Sequence, residues 1–164
     1  MALITSPTDM IPDLNYEYHT ITVDTLNQTS ANTWTCFLTQ PLKNVVQARL
    51  LAARINTTTA TEHCYISIDE LNSTFNDRAT NVYEGQDSLS VLRKSFASLV
   101  TTDDTGIISF RDNYPIAVQY INPIRTLDRL TINIRNEDAI LITPPNPAEN
   151  NFLVLRFVCR KPNL

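Results

Sequence analysis

Hydrophobic and polar residues alternate with a period of two in most apolar segments of this chain. In "DRLTINIRN", Leu130, Ile132 and Ile134 fall on one side of the alternation and polar residues fall on the other. Successive side chains of a β-strand point to opposite faces, so this pattern indicates strands with one buried face. It recurs in the segments that begin at His19, Trp34, Cys64, Gly106, Ile116, Ala139 and Asn151. The pattern predicts about eight strands.

Turn-forming residues separate these segments. Prolines, asparagines and aspartates lie between the short apolar runs, and the chain has only two glycines. No regular helical crossover lies between the strands, which favours an all-β antiparallel sandwich or barrel. Residues 87–100 leave two alternatives open, because a helical spacing there runs into a strand-like stretch over residues 95–100.

The segment "FLTQPLKNVVQARLLAARI", residues 37–55, contains a proline within an apolar run. Pro41 lacks a backbone donor and restricts Gln40 to extended geometry, so we predict two strands joined across residues 40–43. A helix would also accommodate the later residues. The alternation after Asn44 assigns one face to Val46, Ala48, Leu50 and Ala52 and the other to Gln47 and Arg49. A slip in the alternation near Ala53 would turn Ile55 inward.

Length and charge limit the possible partners. The 164 residues fit one domain, residues 1–164, in which residues 1–15 are expected to form an extended N-terminal arm. The formal net charge is -4. No overall basic field is therefore available to hold a phosphate backbone, and nucleic acid is not expected as the principal ligand. No apolar run is long enough to predict a transmembrane segment or a signal peptide, so synthesis in the cytoplasm is expected.

Residues with catalytic or metal-binding chemistry are scattered. Cys36, Cys64 and Cys159 are far apart in apolar contexts and are interpreted as buried reduced thiols. His19 and His63 lack a metal-ligand spacing, and no nucleophile or phosphate-loop motif is present. We therefore expect no enzymatic activity and no cofactor.

Two surface features have alternative interpretations. Arg125, Arg129 and Arg135 form a stripe that carboxylates interrupt, which favours a solvated or partner-facing sheet edge over an anion site. Separately, a β-sandwich could bind sugar through exposed aromatic residues, for which the candidates are Trp34, Tyr114 and Tyr120. Packing in the core or at its rim is the alternative for all three aromatic residues.

Two stretches resemble a known family. "WTCFLTQPLKNVVQARLLAARI" resembles an early segment of small capsid-associated proteins of nucleocytoplasmic large DNA viruses (giant viruses) and related virophages. "SFRDNYPIAVQYINPIRTLDRLTINIRNED" is similar to a later segment of the same family, in which an aromatic-rich strand leads into "NPI", "LDRLTI" and a polar turn. The two matches fall in the family's order. With the closing "FLVLRFV" they span most of residues 34–158.

The resemblance implies a single jelly-roll domain that acts as a minor capsid or penton-type protein of the virion. Its partners would be other capsid proteins, including a major capsid protein, or further copies of itself, as a pentamer if it is a penton. A carbohydrate- or receptor-binding jelly roll is the alternative. The residues expected to determine the fold are Trp34, Leu38, Pro41, Val46, Leu50, Pro123, Leu127, Leu130, Ile132 and Ile134. The residues expected to contact neighbouring subunits are Gln47, Arg49, Arg129 and Arg135.

Overall fold

The computed structural model describes residues 15–26, 28, 32–57, 63–71, 95–100, 107–136, 141–142 and 150–162, without the side chains of residues 112–117. The strands are β1 (Tyr16–Asp24), β2 (Thr33–Asn56), β3 (His63–Ile68), β4 (Ala97–Val100), β5 (Ile107–Asn136) and β6 (Phe152–Arg160). A short 3₁₀ helix, Asp69–Leu71, follows β3. All pairings are antiparallel, in the order β1, β6, β2, β5, β3, β4. The predicted all-β antiparallel fold is confirmed.

The sheet curls into two layers because β2 and β5 each run through both. In the first layer, residues 45–54 of β2 lie between β6 and the early part of β5, and β1 forms an edge beside β6. In the second layer, residues 33–37 of β2 pair with the late part of β5. The late part of β5 pairs on its other side with β3, and β3 pairs with β4. Buried side chains of both layers form one hydrophobic cluster. Each layer thus has four strand segments, and their order is that of the predicted single jelly roll.

The corner in β2 lies at the predicted position, around Pro41. Residues 38–41 of β2 oppose a single residue of β5, Asp128, because the pairing jumps from Phe37 with Arg129 to Leu42 with Leu127. Asn44 has a φ of 53°, in the left-handed region that asparagine tolerates better than most residues. The prediction of two separate strands is wrong, since pairing with β5 resumes at Leu42 and β2 is continuous through the bend.

One inserted residue in β2 corrects the predicted faces. Val45 pairs with Cys159 and Gln47 pairs with Val158, so Val46 has no partner of its own on β6. Such a β-bulge shifts the alternation by one residue. Val45 is therefore fully buried, and Val46, which we predicted to point into the core, is half-buried.

A second insertion lies at Leu51. Pairing with β6 skips this residue, and Ala53 is buried whereas Ala52 is only half-buried, contrary to the prediction for Ala52. Ile55 is fully buried, as expected from a slip in this region. Two bulges thus let β2 curve around the core while keeping an apolar inner face.

The residues predicted to determine the fold differ in burial. Those in the core are Trp34, Leu50, Leu127, Leu130, Ile132 and Ile134. Leu38 and Pro123 are half-buried, and Leu38 packs against the core cluster. Pro41 is exposed, which corrects its assignment to the core. At a corner a proline needs no ladder partner, so its missing N–H costs nothing when it faces solvent. Residues 1–14 of the predicted arm lie outside the described residues.

A carboxylate takes over the hydrogen bonding of β5 where β3 ends. The pairing of β3 with β5 ends where Ile68 lies opposite Ile132. Thr131, the neighbouring residue of β5, therefore has no pairing partner on β3. Glu70, in the 3₁₀ helix, accepts the backbone N–H of Thr131 at 2.7 Å and its hydroxyl at 2.8 Å. Arg129 Nε lies 3.4 Å from the same carboxylate. These two hydrogen bonds and the ion pair hold the turn after β3 against β5.

Replacing Glu70 by alanine is expected to lower the free energy of unfolding by about 2 kcal/mol, because a partly buried backbone donor loses its acceptor. Arg129→Ser is the matched control, since its ion pair is 57% exposed on the arginine side and should contribute no more than about 1 kcal/mol. Urea denaturation of both variants measures the difference. Equal destabilisation would show that the ion pair, and not the Thr131 hydrogen bonds, holds the turn.

Candidate interaction face

Arginines from three strands lie on the outer face of the first layer. Burial alternates along β6, where odd-numbered residues are buried and Arg156 and Arg160 face outward. Arg156 pairs on one side with Arg49 of β2, and on the other with Thr20 of β1. Further along β2, Arg54 is exposed beside Ser109 of β5.

The arginine face is defined by Arg49, Arg54, Arg111, Arg156 and Arg160. Arg111 is exposed and pairs with Ala52, which places it diagonally next to Arg54 on the same side. Among the described residues of this face, Asp24 at the end of β1 is the carboxylate, and it accepts a hydrogen bond from Leu26 N at 3.0 Å. The surface is therefore locally basic although the whole chain carries a net charge of -4.

Two arginines of this face lie directly opposite each other. Arg49 and Arg156 are cross-strand partners, and like charges in that position destabilise a sheet. Arg156 is partly compensated by Tyr18, whose ring centroid lies 5.0 Å from the guanidinium carbon. Guanidinium groups bind carboxylates in bidentate fashion, so a face that carries several of them suits an acidic partner.

The four residues predicted to contact neighbouring subunits do not form one surface. Gln47 and Arg49 are half-buried on the first layer. Arg49 belongs to the arginine face, and Gln47 lies beside it. Arg129 and Arg135 are in the second layer, where Arg129 pairs with Glu70 and Arg135 lies opposite Tyr65. The sequence interpretation missed the other four members of the arginine face. The alternation in "FLVLRFVCR" could have placed Arg156 and Arg160 together, but their proximity to Arg49 depends on strand order.

A groove separates β1 from residues 35–43 of β2. It has a volume of about 880 Å³, and its walls include Phe37, which is 76% exposed, and Leu26, which is 57% exposed. The free thiols of Cys36 and Cys159 also line it. Burial, with a smaller contribution from Glu17, raises the pKa of Cys159 to about 11. Burial also raises the pKa of Cys36, so both thiols stay protonated near neutral pH and are poor nucleophiles.

Two of the aromatic residues considered for sugar binding are engaged in the fold. Trp34 is 4% exposed and belongs to the core. Tyr120 is half-buried and packs against the core, and its hydroxyl donates to the Leu71 carbonyl at 2.9 Å. Burial raises the pKa of Tyr120. The Tyr114 side chain lies outside the described residues. Trp34 therefore offers no ring face for stacking on a ligand, and the Tyr120 hydroxyl is already bonded within the fold.

The described ranges contain no group of three or more His, Cys, Asp or Glu side chains arranged to hold a metal ion. They also contain no helix with the length and hydrophobicity needed to cross a membrane. Comparison of the sequence with protein-family models and with curated proteins found no match to either.

Proposed function

We propose that this chain is a non-enzymatic structural component of an icosahedral virus capsid, a minor capsid or penton protein that binds neighbouring capsid proteins. The arginine face on the outside of a single jelly roll carries the proposal. Jelly rolls recur in viral capsids, and the two sequence stretches that resemble small capsid proteins include the corner of β2 and the central strand β5. In this role the protein is made in the host cytoplasm and resides in the virion.

The arginine face supplies the chemistry for such contacts. Its guanidinium groups would bind carboxylates from a neighbouring subunit, such as the major capsid protein, in paired hydrogen bonds. Gln47 and Val158, which lie in the same cross-strand row, add the uncharged surface that protein interfaces contain beside their charges. We favour a protein over a nucleic acid because the chain as a whole is acidic and would repel a phosphate backbone at long range.

The proposal predicts that mass spectrometry of purified particles finds the chain in fixed stoichiometry with the major capsid protein. Arg49→Glu should lower its incorporation at least about tenfold, because a repulsive carboxylate replaces a guanidinium at the contact. The variant should still fold, since the introduced carboxylate would face Arg156 as an opposite-charge cross-strand pair. Circular dichroism of the purified variant checks this.

Arg125→Glu is the matched control, because Arg125 is exposed at the bend of β5, between the stretches that belong to the two layers, and lies outside the arginine face. This variant should be incorporated normally. Absence of the wild-type chain from intact particles would contradict the capsid role. Normal incorporation of Arg49→Glu would leave the capsid role standing and show that another surface makes the contact.

The carbohydrate-binding alternative has weaker support from its candidate residues. Trp34 is buried, and Tyr120 is tied to Leu71 by its hydroxyl. We therefore do not propose it as a second function.

A further inference from the structure

The strand β1 has an edge that no other described strand covers. It pairs with β6 along its whole length, from Tyr16 opposite Arg160 to Asp24 opposite Phe152, and it is the outermost strand of the sheet. Natural proteins protect such edges with charged side chains, above all lysine, or with proline, a bulge or a very short strand. The strand is nine residues long, contains neither lysine nor proline, pairs with β6 without a register shift, and has its two carboxylates, Glu17 and Asp24, near its ends.

The hydrogen bonds at the two ends of β1 show which residues face this edge. Thr25 N donates to Asn151 O at 3.1 Å, and Asn15 O accepts from Lys161 N at 2.9 Å. In an antiparallel ladder, hydrogen-bonded pairs alternate with pairs that do not bond. Odd-numbered residues of β1 therefore bond to β6, and the backbone groups of the even-numbered residues point to the open edge. Thr20 is the central one.

We propose that β1 pairs in antiparallel fashion with β1 of a second copy of this chain, with Thr20 opposite Thr20 on the two-fold axis. This register uses the outward backbone groups of the even-numbered residues on both strands. It extends the first layer of each copy into one continuous sheet, a form of β-strand addition. The inference does not depend on the proposed capsid role.

The side chains of β1 fit a second copy of the same strand. In this register Thr20 pairs with Thr20, and Tyr18 pairs with Thr22, two combinations that stabilise antiparallel sheets. On the other face, Glu17 lies opposite Val23, so no like charges meet directly. The exposed side chains of Phe37 and Leu26 line the groove next to this edge and offer apolar surface for the second copy to cover.

The arginines do not oppose this pairing strongly. Arg156 is one strand away from Thr20, so the two copies of Arg156 would be three strand spacings apart, or about 14 Å. This separation exceeds the Debye length of about 8 Å at physiological ionic strength. The pairing would place Arg49 and Arg156 of both copies in one row across the sheet, doubling the arginine face.

Sedimentation equilibrium of the purified chain from about 1 to 200 µM tests the proposal, and a monomer–dimer equilibrium is expected. Thr20→Pro should raise the dissociation constant about 30-fold, because each copy loses one amide donor at the axis. The fold should survive, since this N–H does not bond to β6 and proline is tolerated at an open edge. Thr20→Val keeps the amide and should dimerise as the wild type does. A monomeric wild type, or an unchanged dimer in Thr20→Pro, would overturn the proposal.

Disulfide trapping tests the register. Thr20→Cys should form an intermolecular disulfide under mild oxidation, because opposed residues of a hydrogen-bonded pair have Cα atoms about 5.5 Å apart. Thr22→Cys is the control on the same outer face. In the proposed register, residue 22 of one copy is offset by four residues along the strand from residue 22 of the other copy. This offset of about 13 Å is too long for a disulfide. The native cysteines are the same in both variants. Equal cross-linking of the two variants, or none in Thr20→Cys, would refute the antiparallel register.

Discussion

Replacing Ile132 by aspartate is expected to abolish folding of this chain. Ile132 is fully buried in β5, between Trp34 of β2 and Ile68 of β3. An aspartate there would place an unpaired carboxylate among apolar side chains, at a cost above about 5 kcal/mol. Domains of this size are stable by roughly 5–15 kcal/mol in total. We expect the variant in the insoluble fraction, without the cooperative thermal transition of the wild type.

Asn133→Asp is the matched control for this prediction. Asn133 is the next residue of β5 and faces the other side, where its Oδ1 accepts the Thr33 hydroxyl at 2.7 Å. Aspartate retains that acceptor and adds the same charge, so Asn133→Asp should remain folded and soluble. Loss of both variants would mean that the charge itself, not the buried position, prevents folding. A folded Ile132→Asp would contradict the inward face of β5.

Asn151→Ala is expected to cause the second-largest loss of stability, about 3 kcal/mol. Asn151 is fully buried just before β6. Its Oδ1 accepts the backbone N–H of Asn56 at 2.7 Å and the side-chain amide of Asn56 at 3.2 Å. Its own N–H donates to the Thr25 hydroxyl at 2.9 Å. One residue therefore joins the ends of β1 and β2 to the start of β6, in a site that water does not reach.

Removing the Asn151 amide leaves the Asn56 backbone donor buried without an acceptor, and this desolvation cost dominates the loss. For a domain of this size, a loss of about 3 kcal/mol lowers the melting temperature by about 6–12 °C. Asn150→Ala is the control, because Asn150 is exposed and contributes its backbone carbonyl, which alanine retains, to Asn56 Nδ2. Differential scanning calorimetry compares the two. Equal shifts in melting temperature would show that the hydrogen bonds of the Asn151 side chain do not account for the stabilisation.

The arginine face explains how an acidic chain can offer a basic contact surface. Net charge describes the field far from the molecule, whereas a partner at contact distance meets the local arrangement of side chains. The net charge of -4 describes only the first of these. Arg49, Arg111 and Arg156 are separated by tens of residues in sequence, and only strand pairing brings them onto one face.

The inner faces of the straight strands could be predicted from the sequence because a strand alternates its side chains strictly. Leu130, Ile132 and Ile134 are buried as that alternation requires. The same rule failed at Val46, where an inserted residue shifts the pattern by one. A bulge is selected by how the strand must curve around the core, and the residues that form it carry no distinctive signal of their own. Pro41 marked the corner correctly, but its exposure depended on what packs around it.

The sequence by itself determined that this is an all-β chain with alternating inner and outer faces and a corner near Pro41. These properties follow from local geometry, since side-chain alternation and proline stereochemistry act over a few residues. The tertiary structure decided the strand order, the two bulges in β2, the position of β1 at the edge of the described sheet and the grouping of the arginines. Those features depend on which distant strands become neighbours, and long-range pairing is settled by packing of the whole core rather than by any single segment.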